Sequence, residues 1–146
     1  MSNKIEFGCD FLALCGIMNS LDKTPDFTTA TIGVACFLLT MWGFTPEEVD
    51  SSVEIYANRV EIGELQIPVE ALKRIMKHIS SNKTLQGQLI SHLSAIGHWD
   101  FDYTEKEGVV LNEIGEVWEI SKTELDKYIN TGANLAIQLR NFAENY

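Results

Sequence analysis

Four carboxylates, Asp100, Asp102, Glu105 and Glu107, fall within eight residues of one another. Hard divalent cations take oxygen ligands, and a loop with carboxylates this close can supply several at once. The spacing is not that of an EF-hand: counted from Asp100, the glycine position holds Glu105 and the closing glutamate position holds Leu111. A plainer role fits the same residues. Glu107 stands three after Thr104, where a capping box places its glutamate, and Glu105 meets the positive end of a helix dipole. Asp100 and Asp102 are common turn residues. Paired carboxylates can also do acid–base or metal-assisted work on a small molecule, which keeps a small enzyme as the alternative to a binding module.

Other chemistry is thinly supported. His98 precedes the acidic stretch and can join a metal site there. His78 and His92 fall on different predicted helices, with no Cys or His at ligand spacing, so an ordinary zinc site is not expected. No GxSxG nucleophile motif and no glycine-rich phosphate loop is present. Cys9, Cys15 and Cys36 are odd in number, lack CxxC spacing and lie in apolar company, which reads as free core thiols in a reducing cytoplasm. Trp42, Trp99 and Trp118 read as core or helix-junction packing.

The elements that must hold these groups follow from helical apolar spacing between Pro25, Pro46 and Pro68. A first helix spans Asn3 to Leu21, with Phe11, Leu14, Cys15, Met18 and Leu21 on one face. A second runs from Thr28 to Trp42, apolar nearly all round. Its β-branched opening makes a strand the competitor, and length favours the helix. Thr45-Pro46-Glu47-Glu48 starts a third, with Val49, Val53, Tyr56 and Val60 inward. A fourth begins near Pro68, burying Val69, Leu72, Ile75, Met76 and Ile79. Its other side carries Lys73, Arg74, Lys77 and His78, which reads as a solvated face or as a patch for the acidic end of another copy. A fifth covers Lys83 to His98. A sixth begins at Thr104, with Val110, Leu111, Ile114, Val117 and Trp118 inward. A seventh begins at Ser121-Lys122-Thr123-Glu124, another capping box, and continues through Phe142. No segment alternates with period two, so the expectation is a single all-α domain over residues 1–146 with about seven helices.

Composition bounds the function. The 146 residues are one domain's worth and 45% apolar, enough for a core without disulfides. A net charge of −10 argues against binding a phosphate backbone and suits a cation or a protein partner. No apolar run reaches membrane-helix length and the N-terminus lacks a signal pattern, so a cytoplasmic protein with no membrane span is expected.

Two stretches match at an offset of 76 residues. Trp42-Gly43-Phe44-Thr45-Pro46-Glu47-Glu48-Val49 aligns with Trp118-Glu119-Ile120-Ser121-Lys122-Thr123-Glu124-Leu125. Both give an aromatic helix end, a spacer, an apolar residue, an N-cap and a glutamate at the third helical position. The expectation is a duplicated three-helix unit.

From Ala95 to Leu125 the chain resembles the TerB-like family of tellurite-resistance proteins. Small residues around Ala95, the aspartate Asp100, the pair Thr104 and Glu107, the stretch Trp118-Glu119-Ile120, and Ser121 with Glu124-Leu125 follow that family's pattern. The resemblance implies an all-helical, non-enzymatic module tied to stress response, with an acidic face that binds metal ions or partners. It makes Asp100 and Glu107 the ligands for a divalent cation (calcium, magnesium or manganese), with Asp102 and Glu105 as neighbours. The family's glycine after the aspartate is Phe101 here, and phenylalanine resists the positive φ that glycine permits. In the first half the counterparts of Asp100 and Glu107 are Thr24 and Thr31, so that pair is absent there.

Overall fold

A computed structural model describes residues 3–20, 29–63, 68–99 and 105–144. The described residues form seven helices and no strand: α1 (Asn3–Ser20), α2 (Thr29–Met41), α3 (Pro46–Glu61), α4 (Pro68–His78), α5 (Lys83–His98), α6 (Glu105–Val117) and α7 (Lys122–Glu144). The expected all-α class holds, and the β-branched start of α2 is helical. Packing decides this. Val34, Ala35, Leu38 and Leu39 of α2 are buried, and each large one contributes about 1.5–3 kcal/mol by leaving water. No helix among the described residues is long and apolar enough to cross a membrane.

Two hubs organise the bundle. The α1 helix packs on α2, α3, α4 and α5, and α5 packs on α1, α2, α6 and α7. From Gln86 to Gly97 every residue of α5 except Gln88 is buried. Its polar members are served locally or by neighbouring helices. Gln86 Nε2 donates to the Ser80 carbonyl at 2.8 Å, and the Ser91 and Ser94 hydroxyls donate to the Tyr128 and Ile129 carbonyls of α7 at 3.0 and 2.6 Å.

Acidic residues of α1 hold the two helices beside it. Arg59 of α3 makes a two-pronged pair with Glu6 at 2.7 and 3.2 Å, and Arg74 of α4 does the same with Asp10 at 2.7 and 2.9 Å. Asp10 is 4% exposed, whereas Arg74 keeps 53% of its surface in water, so the pair is desolvated on one side only. Arg74, part of the basic face read as solvated or as a patch for another copy, is therefore used inside the chain. Val60 and Val117, expected to face inward, are exposed; both lie in the last turn of their helices, where the chain turns away.

The capping boxes account for the helix starts. The Thr45 hydroxyl accepts from the Glu48 amide while the Glu48 carboxylate accepts from the Thr45 amide. The Ser121 hydroxyl accepts from the Glu124 amide at 3.2 Å. The junctions before these caps share one geometry. Gly43 and Phe44 donate to the Thr40 and Leu39 carbonyls, and Glu119 and Ile120 donate to Glu116 and Gly115. These are Schellman turns, and their fifth residues, Gly43 and Glu119, have φ of 84° and 56°. Schellman turns end a large share of helices, so the shared geometry arises with or without common ancestry.

Glu119 occupies the left-handed region where a side chain is disfavoured by ~1–2 kcal/mol. Glycine relieves that strain but loses more freedom on folding. Glu119→Gly is therefore expected to stabilise the chain by about 0.5–1 kcal/mol. The check is a raised urea midpoint with an unchanged slope.

Candidate functional site

The acidic junction lies between the end of α5 and the start of α6. Asp100, Phe101, Asp102 and Thr104 lie outside the described residues, so the geometry bears on its flanks. Among the described residues no three Asp, Glu, His or Cys side chains gather as a metal cluster. Glu105 is exposed. Glu107 is 0% exposed, the most deeply buried carboxylate described, and takes part in an interaction of its own. The contrast with its counterparts is informative. Glu48 and Glu124 hold the same position in the other two capping boxes, and neither is buried. Capping alone therefore does not require the desolvation that Glu107 undergoes.

His98 closes α5 beside this carboxylate-rich stretch. Its Nδ1 is 2.8 Å from the Ser94 carbonyl, which can only accept, so Nδ1 carries a proton there. In the neutral ring the lone pair then lies on Nε2. The next residue, Trp99, has the Arg140 guanidinium of α7 stacked over its ring at 5.2 Å. A fixed positive charge thus borders the junction.

A second constellation has no counterpart in the sequence reading. His92, in the middle of α5, is 2% exposed. The Trp42 indole N–H donates to its Nδ1 at 2.8 Å, and the rings of Trp42 and Phe11 stand edge-on to it at 5.7 and 6.3 Å. An indole nitrogen can only donate, so Nδ1 is the acceptor and the proton of the neutral ring is on Nε2. Burial pushes the imidazole down to about 4, which keeps it neutral near pH 7.

His92 also lines a groove of about 400 Å³ between α5 and α7. Gln88, Ser91, Thr131, Asn134 and Gln138 supply the rest of its polar lining, and Met41 and Leu135 its apolar part. Across Met41 and Gln88 lies a second depression of about 310 Å³, walled by Phe7, Trp42 and Phe44, with Lys4 and His78 beside them. No motif announces this region, because Trp42 and His92 are 50 residues apart. The available signal was a histidine among small and apolar residues on α5.

The cysteines behave as core thiols. Cys9 and Cys15 are buried and Cys36 half-buried. Burial pushes the Cys9 thiol up to about 11 and raises Cys15 and Cys36 as well, so none is poised as a thiolate nucleophile. Protein-family models, curated proteins and solved structures give no match to this chain, so its function has to be argued from Glu107, His92 and their surroundings.

Proposed function

We propose that the chain is a TerB-like, non-enzymatic helical module that binds a divalent cation or a protein partner at the α5–α6 junction. Asp100 and Glu107 coordinate in the cation form, with Asp102 assisting. The observation that carries this reading is the complete burial of Glu107. A carboxylate taken out of water needs positive charge or several donors around it. Covalent connection keeps Asp100 next to Trp99 and Asp102 three residues before Glu105. His98 supports the reading: metal-binding imidazoles commonly donate their other ring N–H to a backbone carbonyl, as Nδ1 does to Ser94. Coordination would pin the first turn of α6 to the last turn of α5, and partner affinity would follow that order. A role in stress or tellurite resistance belongs to the same reading.

Arg140 favours one rival: its guanidinium beside Trp99 is the counter-charge, and the junction is structural. A titration of chelator-stripped protein with calcium, magnesium, manganese and zinc separates them. The expected result is saturable one-site binding of calcium, magnesium or manganese, in the range of about 10⁻⁷–10⁻³ M seen for oxygen-ligand sites. It should be lost in Asp100→Ala/Glu107→Ala and weakened in Glu107→Gln, which keeps the shape of the side chain. Absence of binding at millimolar cation sinks the metal form.

A further inference from the structure

We propose that the α5–α7 groove is a binding site for a small uncharged ring bearing a carboxamide or lactam edge, about the size of a nucleobase or nicotinamide. Two pairs of side chains line it. Gln88 and His92 are four apart on α5, and Asn134 and Gln138 are four apart on α7, so each pair shares a helix face. His92 Nδ1 is taken by Trp42, so what the ring offers a ligand is its Nε2–H donor. Each carboxamide of Asn134 and Gln138 offers a donor and an acceptor together, the complement of an amide edge. Met41 and Leu135 supply apolar surface for a flat face.

Charge narrows the class. None of the residues lining the groove is Asp, Glu, Lys or Arg, in a chain where 22% are. The histidine in it is held neutral by burial. An anion or cation entering would lose hydration and meet no counter-charge. A neutral amide loses less and regains hydrogen bonds. The volume of about 400 Å³ lies within the span typical of small-molecule sites. Nothing here depends on the acidic junction, which lies at the far end of α5.

Nicotinamide and nicotinate, alike in shape but the one neutral and the other an anion, test this directly. Nuclear magnetic resonance of the ¹⁵N-labelled full chain reads the His92 imidazole and the Gln88, Asn134 and Gln138 amides during titration. Nicotinamide is expected to shift them saturably with a Kd of roughly 1–10 mM, reasonable for so few atoms. Nicotinate should bind at least about tenfold more weakly. Asn134→Leu/Gln138→Leu changes only exposed residues and should weaken nicotinamide by at least about tenfold while the Trp42–His92 signals stay in place. No saturable shift at His92, equal binding of nicotinate, or indifference to the double substitution would each overturn the assignment.

Discussion

Gly132→Ala is expected to destabilise the fold by about 3 kcal/mol. A Cβ at Gly132 would collide with the backbone carbonyl of Ser91 and come within 2.6 and 2.8 Å of Ser94 Cβ and Oγ. A flexible side chain can swing aside; a helix carbonyl cannot. The two helices must separate, and α5–α7 is the most extensive helix pair among the described residues. Separation stretches the Ser91 and Ser94 hydrogen bonds to Tyr128 and Ile129. Overpacking costs ~1–3 kcal/mol and each hydrogen bond ~1 kcal/mol. The better helix propensity of alanine returns only about 1 kcal/mol. Gly33 on α2 is the control: a Cβ there meets nothing within 4 Å among the described residues, so Gly33→Ala should stabilise by up to about 1 kcal/mol. Urea unfolding of the two variants should give shifts of opposite sign. An unchanged midpoint for Gly132→Ala would mean that the helices are not in such close contact.

Acidification is expected to remove about 3 kcal/mol of stability between pH 6.5 and about 4, through His92. Above pH 6.5 the imidazole is neutral in both folded and unfolded chains and contributes nothing to the slope. Below it the unfolded chain takes up a proton that the folded chain refuses, so stability falls with pH. The loss is complete near pH 4, where the folded ring also protonates. A difference of about 2.5 pH units at ~1.4 kcal/mol each gives the figure. Glu6 acts in a lower window. The Arg59 guanidinium holds its carboxyl below the usual 4.5, so its contribution is present above that value and lost below it. Urea midpoints from pH 7 to 4.5 therefore read the histidine above the window of Glu6. In His92→Gln, which keeps an acceptor for the Trp42 indole, the slope over that window should flatten. A slope equal to that of the parent chain would assign the acid sensitivity elsewhere.

What the sequence made legible was local. Thr45-Pro46-Glu47-Glu48 and Ser121-Lys122-Thr123-Glu124 announce helix starts because a cap is made by residues three apart, and the hydroxyl-to-amide bonds are where the pattern puts them. Apolar periodicity located the inward face of α4, where Ile75 and Ile79 are buried, for the same reason. What stayed hidden depends on which helices meet. Arg74 reads as one charge of a basic face, and only the fold brings it to Asp10, 64 residues away. Gly132 reads as a poor helix former and Ser94 as a middling one until α5 and α7 cross at them. His92 reads as a lone histidine until Trp42 arrives. For the acidic junction, the sequence argument rests on Asp100, Asp102 and Glu107, and the geometry speaks for the last of these alone.

The seam between α5 and α7 also bears on how the chain is made. Gly87, Ser91 and Ser94 are covered by Tyr128, Ile129 and Gly132, which are synthesised more than thirty residues later. While α7 is still inside the ribosome, α5 can already have met α1 and α2, yet one of its sides still lies open. That side carries hydroxyls whose carbonyl partners have not yet emerged, beside uncovered apolar surface. Incomplete chains are consequently the form most exposed to wrong partners. Emergence of α7 closes the hazard in one step, because a single helix covers the whole strip.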